Sequence, residues 1–164
     1  MYRFDEIKGY DEVKAHFQSA LKMNKVSHAY MIEGEVGMGK KLLANTFAKV
    51  LQCSEHKEDA CDVCQSCVLF NSGNHPDVIH VEATKKNGIG VDDIREQINS
   101  DVHIKPYVFD YKVYIIHDAD RMTPQAQNAM LKTIEEPPPY VRILLLATHS
   151  QPFLPTVLSR CVSI

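Results

Sequence analysis

A chain of 164 residues can bury one ordinary core, so a single domain is expected. Apolar residues at 45% and charged residues at 24% match water-soluble globular proteins, and a net charge of −3 argues against a self-sufficient nucleic-acid binder, which carries a basic surplus. The longest apolar run, residues 143–147, is far too short to span a bilayer, and Met1-Tyr2-Arg3-Phe4-Asp5-Glu6 lacks the apolar stretch of a signal peptide, so a cytoplasmic protein without a membrane partner is expected.

Apolar residues at three- and four-residue spacing (Val13, Phe17, Ala20, Leu21) predict a helix over 11–25. Residues 29–32 form a short apolar run ending at Gly34 and read as a buried strand. A helix over 40–51 follows, with Leu43, Phe47, Val50 and Leu51 on one side. Residues 77–81 predict a second strand, 91–102 a helix with Ile94 and Ile98 inward, and 112–116 a third strand, nearly all apolar as in the middle of a parallel sheet. Thr123 and Pro124 supply the N-cap and first position of a helix that runs to about 135, where Pro137-Pro138-Pro139 stops it. A fourth strand over 142–147, a short helix over 155–158 and the start of a fifth strand over 161–164 complete the chain. Strands alternating with helices imply a parallel, doubly wound α/β sheet. The stop inside an apparent strand suggests a piece of a longer protein.

Between the first strand and the second helix lies Gly34-Glu35-Val36-Gly37-Met38-Gly39-Lys40-Lys41. Glycines 34, 37 and 39 let the backbone fold around an anion, with Lys40 reaching the terminal phosphates. The strand–loop–helix context is what a P-loop needs. The pattern then requires Ser or Thr, whose hydroxyl ligates Mg²⁺, but Lys41 stands there and would repel the cation. After the third strand come His117-Asp118-Ala119-Asp120. Asp118 is placed as the metal-side acid, Ala119 sits where a catalytic Glu would orient water, and Asp120 is one residue too far along. Losses at both 41 and 119 favour a fold kept for assembly over hydrolysis, and leave open whether ATP or ADP occupies the loop. The competing reading is an active ATPase that takes its metal ligands from Asp118 and water.

Cys53, Cys61, Cys64 and Cys67 have the spacing C-x7-C-x2-C-x2-C, which suits a closed tetrahedral zinc shell in a small insert over about 53–75. An iron–sulfur centre or free thiols are the alternatives, and a zinc-ribbon DNA-binding module is a weaker functional reading that the acidic balance opposes. His56 and His75 are expected to be solvated, and Cys161 to be a small buried apolar residue. Arg160 reads from chemistry alone as an ordinary surface arginine.

His28-Ala29-Tyr30, the four-cysteine insert, Asn128-Ala129-Met130-Leu131-Lys132-Thr133-Ile134-Glu135-Glu136-Pro137-Pro138 and Leu158-Ser159-Arg160-Cys161 together resemble the clamp-loader branch of the AAA+ superfamily over the whole chain. The resemblance implies a P-loop AAA+ type parallel sheet sandwiched by helices, with a zinc insert, followed in family members by a helical lid and a collar that this chain does not include. It implies a subunit of a bacterial replicative polymerase III assembly that loads a sliding clamp onto primed DNA, with gamma/tau and delta subunits as partners. A hydrolysing gamma/tau subunit would show Ser or Thr at 41 and Glu at 119. Ser159, Arg160 and Cys161 match the segment whose arginine reaches a neighbour's ATP, and Thr148 matches a sensor position.

Overall fold

The computed structural model describes every residue except Met1, Val36, Met38, His56, Lys57 and Val108. Five strands, β1 (Ala29–Glu33), β2 (Val78–Val81), β3 (Lys112–Ile116), β4 (Val141–Ala147) and β5 (Val162–Ser163), form one sheet in the order β2-β3-β4-β1-β5. Every pairing is parallel. Parallel pairing demands crossovers, and the intervening helices cover both faces, so the inner strands are apolar on both sides. In β3 all five residues are buried.

Two cores result. On one face α1 (Asp11–Lys22), α2 (Lys40–Gln52) and α3 (Gln65–Asn71) pack Phe17, Leu43, Phe47 and Phe70 against Tyr30, Val113, Ile115 and Leu144. Phe17 and Phe47 stack at 4.0 Å, with Tyr30 edge-on to both. On the other face α4 (Val91–Ile94) and the turn that follows it, α5 (Pro124–Glu135) and α6 (Pro155–Leu158) set Ile94, Ile98, Met130, Ile134 and Val157 against Met31, Tyr114, Ile116 and Leu145. Among the described residues no helix is long and apolar enough to cross a membrane.

Two helices depart from the sequence expectation and one is additional. Helix α1 stops at Lys22 rather than 25, because Asn24 turns left-handed (φ 53) and the Lys25 amide closes back on the Ala20 carbonyl at 2.9 Å. The helix expected over 91–102 is α-helical only in α4 and continues as a wider π turn over Arg95–Asn99. There the Ser100 amide donates to the Arg95 carbonyl, and Asn99 donates to Ala129 O while accepting from Thr133 Oγ1 on α5. Helix α3, inside the cysteine insert, was not expected.

Order β2-β3-β4-β1-β5 sends the chain from β1 across β4 and β3 to the far edge. The carboxyl end of β1 is therefore a topological switch point, where open α/β sheets bind ligands. The glycine loop leaves from that end.

Candidate functional site

Gly39 caps α2 in the left-handed region (φ 86), a conformation open to glycine at little cost, and this swings the loop into the helix N-terminus. Lys40 begins the helix and folds back: its Nζ donates to the carbonyls of Gly34 and of Ala147, the latter at 3.2 Å. The Gly34 amide also donates to Ala147 O at 3.0 Å, so loop, β1 and β4 are laced together at one end of the sheet. Gly37 also has positive φ, whereas Val36 and Met38 lie outside the described residues. Lys41 is exposed.

Beyond β3 the structure revises one assignment. Strand alternation sets Val113 and Ile115 on the α2 face, and His117 is the next residue in that series. His117 follows the last strand residue, is only 9% exposed, and stacks on His80 of β2 with Nε2 2.9 Å from His80 Nδ1. Asp118 is exposed and left-handed (φ 51), the cap of a short 3-10 turn, Ala119–Arg121. The residue at the strand end on the loop's face is thus an imidazole, and Asp118 stands one position further. Both line a cavity of about 280 Å³ that Lys41 also borders. The hydroxyl–carboxylate pair that holds Mg²⁺ in this class of site is absent from these positions, and the donors present, an ammonium and an imidazole, do not fit that ion.

Burial holds the His117 imidazole below its ordinary pKa, and the charges of His80 and Lys41 push the same way. Asp120, which had no role in the sequence reading, accepts the Thr148 amide at 3.1 Å and lies 3.7 Å from His149 Nδ1. It anchors the segment after β4 that carries Thr148.

Sγ atoms of Cys53, Cys61, Cys64 and Cys67 all lie within 4.8 Å of one another, the only such ligand group among the described residues. Cys61 and Cys67 are 3.9 Å apart and Cys64 and Cys53 4.0 Å. Zn–S bonds of about 2.3 Å in a tetrahedron require about 3.8 Å between sulfurs, so the cluster fits zinc. Amides of Val63 and Cys64 donate to Cys61 Sγ, and that of Cys67 to Cys64 Sγ. Burial would raise the Cys64 thiol, but hydrogen bonds, that of the Ser54 side chain foremost, bring it to about 6. Burial pushes the Cys53 and Cys67 thiols up. Zinc held here would cross-link the insert and leave no open coordination position.

The insert is also tied down by protein. Asp59 accepts the amides of Phe4 and Asp5, Arg3 donates to Ala60 O, and fully buried Lys49 of α2 pairs with Asp62. His75 is buried rather than solvated, 2.8 Å from Ser66 Oγ and packed against Phe109 at 4.4 Å. His56 lies outside the described residues. Cys161 is half-buried, its thiol raised by burial to about 11.

Arg160, exposed after α6, turns back on its own domain. Nη2 lies 3.1 Å from Glu135 Oε1, and Nη1 donates to Thr156 O at 2.9 Å.

A five-stranded parallel sheet with a glycine loop at the end of its switch-point strand defines the class: a P-loop domain of AAA+ type. Residues 9–164 match the family described as DNA polymerase III, delta subunit, and the chain belongs to that family. It is 37% identical over 161 residues to DNA polymerase III subunit gamma/tau of Mycoplasma pneumoniae, covering 98% of this chain and 23% of that protein. It is 38% identical to subunit tau of Bacillus subtilis, covering 97% of this chain and 28% of that protein. The chain thus spans about a quarter of the length of these curated relatives. Among solved structures, a DNA polymerase III gamma subunit-related protein from Thermotoga maritima superposes with TM-score 0.69 at 27% identity, over 90% of this chain and 44% of that one. The Thermotoga maritima RuvB Holliday junction branch migration motor, at TM-score 0.62 and 17% identity over 98% of this chain and 46% of that one, shares the fold.

Proposed function

We propose that this chain is the P-loop domain of a delta-prime-type clamp-loader subunit of the bacterial replicative DNA polymerase III holoenzyme. It works in the cytoplasm beside gamma/tau and delta subunits that together load the sliding clamp onto primed DNA. One observation carries the reading: Lys41 and His117 stand where hydrolysis needs a metal-binding hydroxyl and a metal-binding carboxylate. The domain's contribution is then made to a neighbour. Arg160 leaves Glu135 and places its guanidinium on the γ-phosphate held by an adjacent gamma/tau subunit, where it stabilises charge developing in transfer. Polymerase chemistry belongs to the holoenzyme and not to this domain.

The test is Arg160→Ala in the reconstituted loader built with the full-length subunit. DNA-stimulated ATPase is expected to fall by about 10³-fold with assembly intact. Full ATPase and clamp loading in that variant would end the proposal. A second reading, an active ATPase of gamma/tau type, is favoured by the names of the relatives. Phosphate release by the purified chain, abolished by Lys40→Ala, would select it.

A further inference from the structure

The cavity beside the glycine loop has the wrong charge for a cation and the right charge for an anion. Its ionisable wall is Lys41, Lys85, Lys86 and Arg121 against Glu82 and Asp118. His117 completes that wall, more than nine-tenths buried, and its Nδ1 has no hydrogen-bond partner while Nε2 is engaged by His80. A buried polar atom of this kind is costly unless something fills the position opposite it. The far wall is built rather than loose. Gly88 (φ 100) passes so close to the turn after β3 that a Cβ there would sit 2.3 Å from Arg121 O. The Ile89 amide bonds that same oxygen, Thr123 N returns a bond to Ile89 O, and Arg121 donates to Lys86 O at 2.7 Å.

We propose that this corner binds the phosphate oxygens of a nucleotide directly, without a divalent cation. The Lys41 ammonium supplies the positive charge that a metal supplies in hydrolysing relatives of the fold, and His117 Nδ1–H donates to the same oxygens. Diphosphate or triphosphate reaches the corner from the N-terminus of α2, where Lys40 and Lys41 begin the helix. The nucleotide is then a structural ligand that stiffens the loop, β3 and the segment 82–90 together.

The inference rests on the non-hydrolysing reading and is tested apart from it. ADP, ATP and inorganic pyrophosphate are titrated calorimetrically into the purified chain in EDTA and again in excess Mg²⁺. Binding in EDTA at least as tight as in Mg²⁺ is expected, because Mg²⁺ ties up the oxygens that Lys41 would engage. Lys41→Met should weaken binding in EDTA about tenfold, the loss of one charge-assisted contact, while Lys41→Arg retains most of it. Unchanged circular dichroism guards both variants. Binding that requires Mg²⁺, the absence of any binding, or indifference to Lys41→Met would overturn this inference and leave the Arg160 proposal standing. Displacement of pyrophosphate by a primed duplex at equal phosphate would overturn it too, by making the cavity a backbone site.

Discussion

Arg160 is held at its own surface before it can reach any neighbour, and Glu135 is the group that holds it. Both side chains are well exposed, so the pair contributes less than about 1 kcal/mol. Glu135→Gln should therefore shift the melting temperature by no more than about 3 °C. In the assembled loader it should leave ATPase at or above the parent value, since the guanidinium is freed rather than removed. A calorimetric melt and an ATPase assay on one preparation check both halves, and a loss of activity comparable to that of Arg160→Ala would contradict the parking role. The loop lysines and the cysteines could be read from spacing, because each is a residue type at a fixed offset, whereas Arg160 was singled out by the family resemblance alone. His117 could have been read as well: counting by twos from Val113 and Ile115 lands on it, one residue before Asp118. Partners of Asp59 and Asp120, 54 and 28 residues away in sequence, carry no local signal.

Elements depend on contacts that periodicity does not report. Helix α4 was expected from Ile94 and Ile98, yet its start is fixed by Asp93, which is 3% exposed. Asp93 accepts from the Gly90 amide at 3.1 Å and from Thr84 Oγ1 at 2.6 Å. Burial alone would raise its pKa, but these bonds hold it below the usual carboxylate range. Asp93→Ala should cost about 2 kcal/mol in urea unfolding, because it orphans buried donors as well as the cap. Edge strand β2 and strand β3 are joined by the stacked His80–His117 pair, and partial burial lowers the pKa of both rings. A base depressed in the folded state makes the unfolded chain bind more protons below about 6.5, so stability is full above that value and is lost as pH falls through the folded pKa. The Asp93 contribution has the same sign in a lower window, present above about 3.9 and lost as pH falls further. Urea midpoints at pH 7.5, 6.5 and 5.5 should decline in the parent and decline less in His80→Asn/His117→Asn. Equal slopes would rule out the pair as the source.

For the whole molecule, the alternation of strands and helices gave away the parallel sheet, and the glycine loop marked its ligand-binding end. Strand order could not be counted out, since it depends on which crossovers bury the two cores. The insert joins one of those cores: Cys53 and Cys67 are fully buried and pack with Phe47 and Phe70 on the α2 face. Loss of zinc would leave four crowded thiols at the edge of that core, restrained by protein contacts such as those of Asp59, Arg3 and the Lys49–Asp62 pair. Chelation should therefore lower the melting temperature by on the order of 10 °C while far-UV circular dichroism retains most of its amplitude, because the other core does not touch the insert. Thiol counting supplies the mechanism's signature. The zinc-loaded chain should hide four of its five cysteines from a disulfide reagent at pH 8, and chelation should expose those four together. Cys64, near 6, should then react early, whereas Cys161, near 11, keeps only about a thousandth of its thiol ionised and should react slowly with or without zinc. Because Cys53 and Cys67 are held protonated by burial, zinc uptake by the stripped chain at pH 7 should release protons into a weak buffer, and uptake should weaken as pH falls. Unchanged thiol kinetics and unchanged melting on chelation of the protein as purified would show that the cluster holds no metal and that protein contacts keep the insert in place.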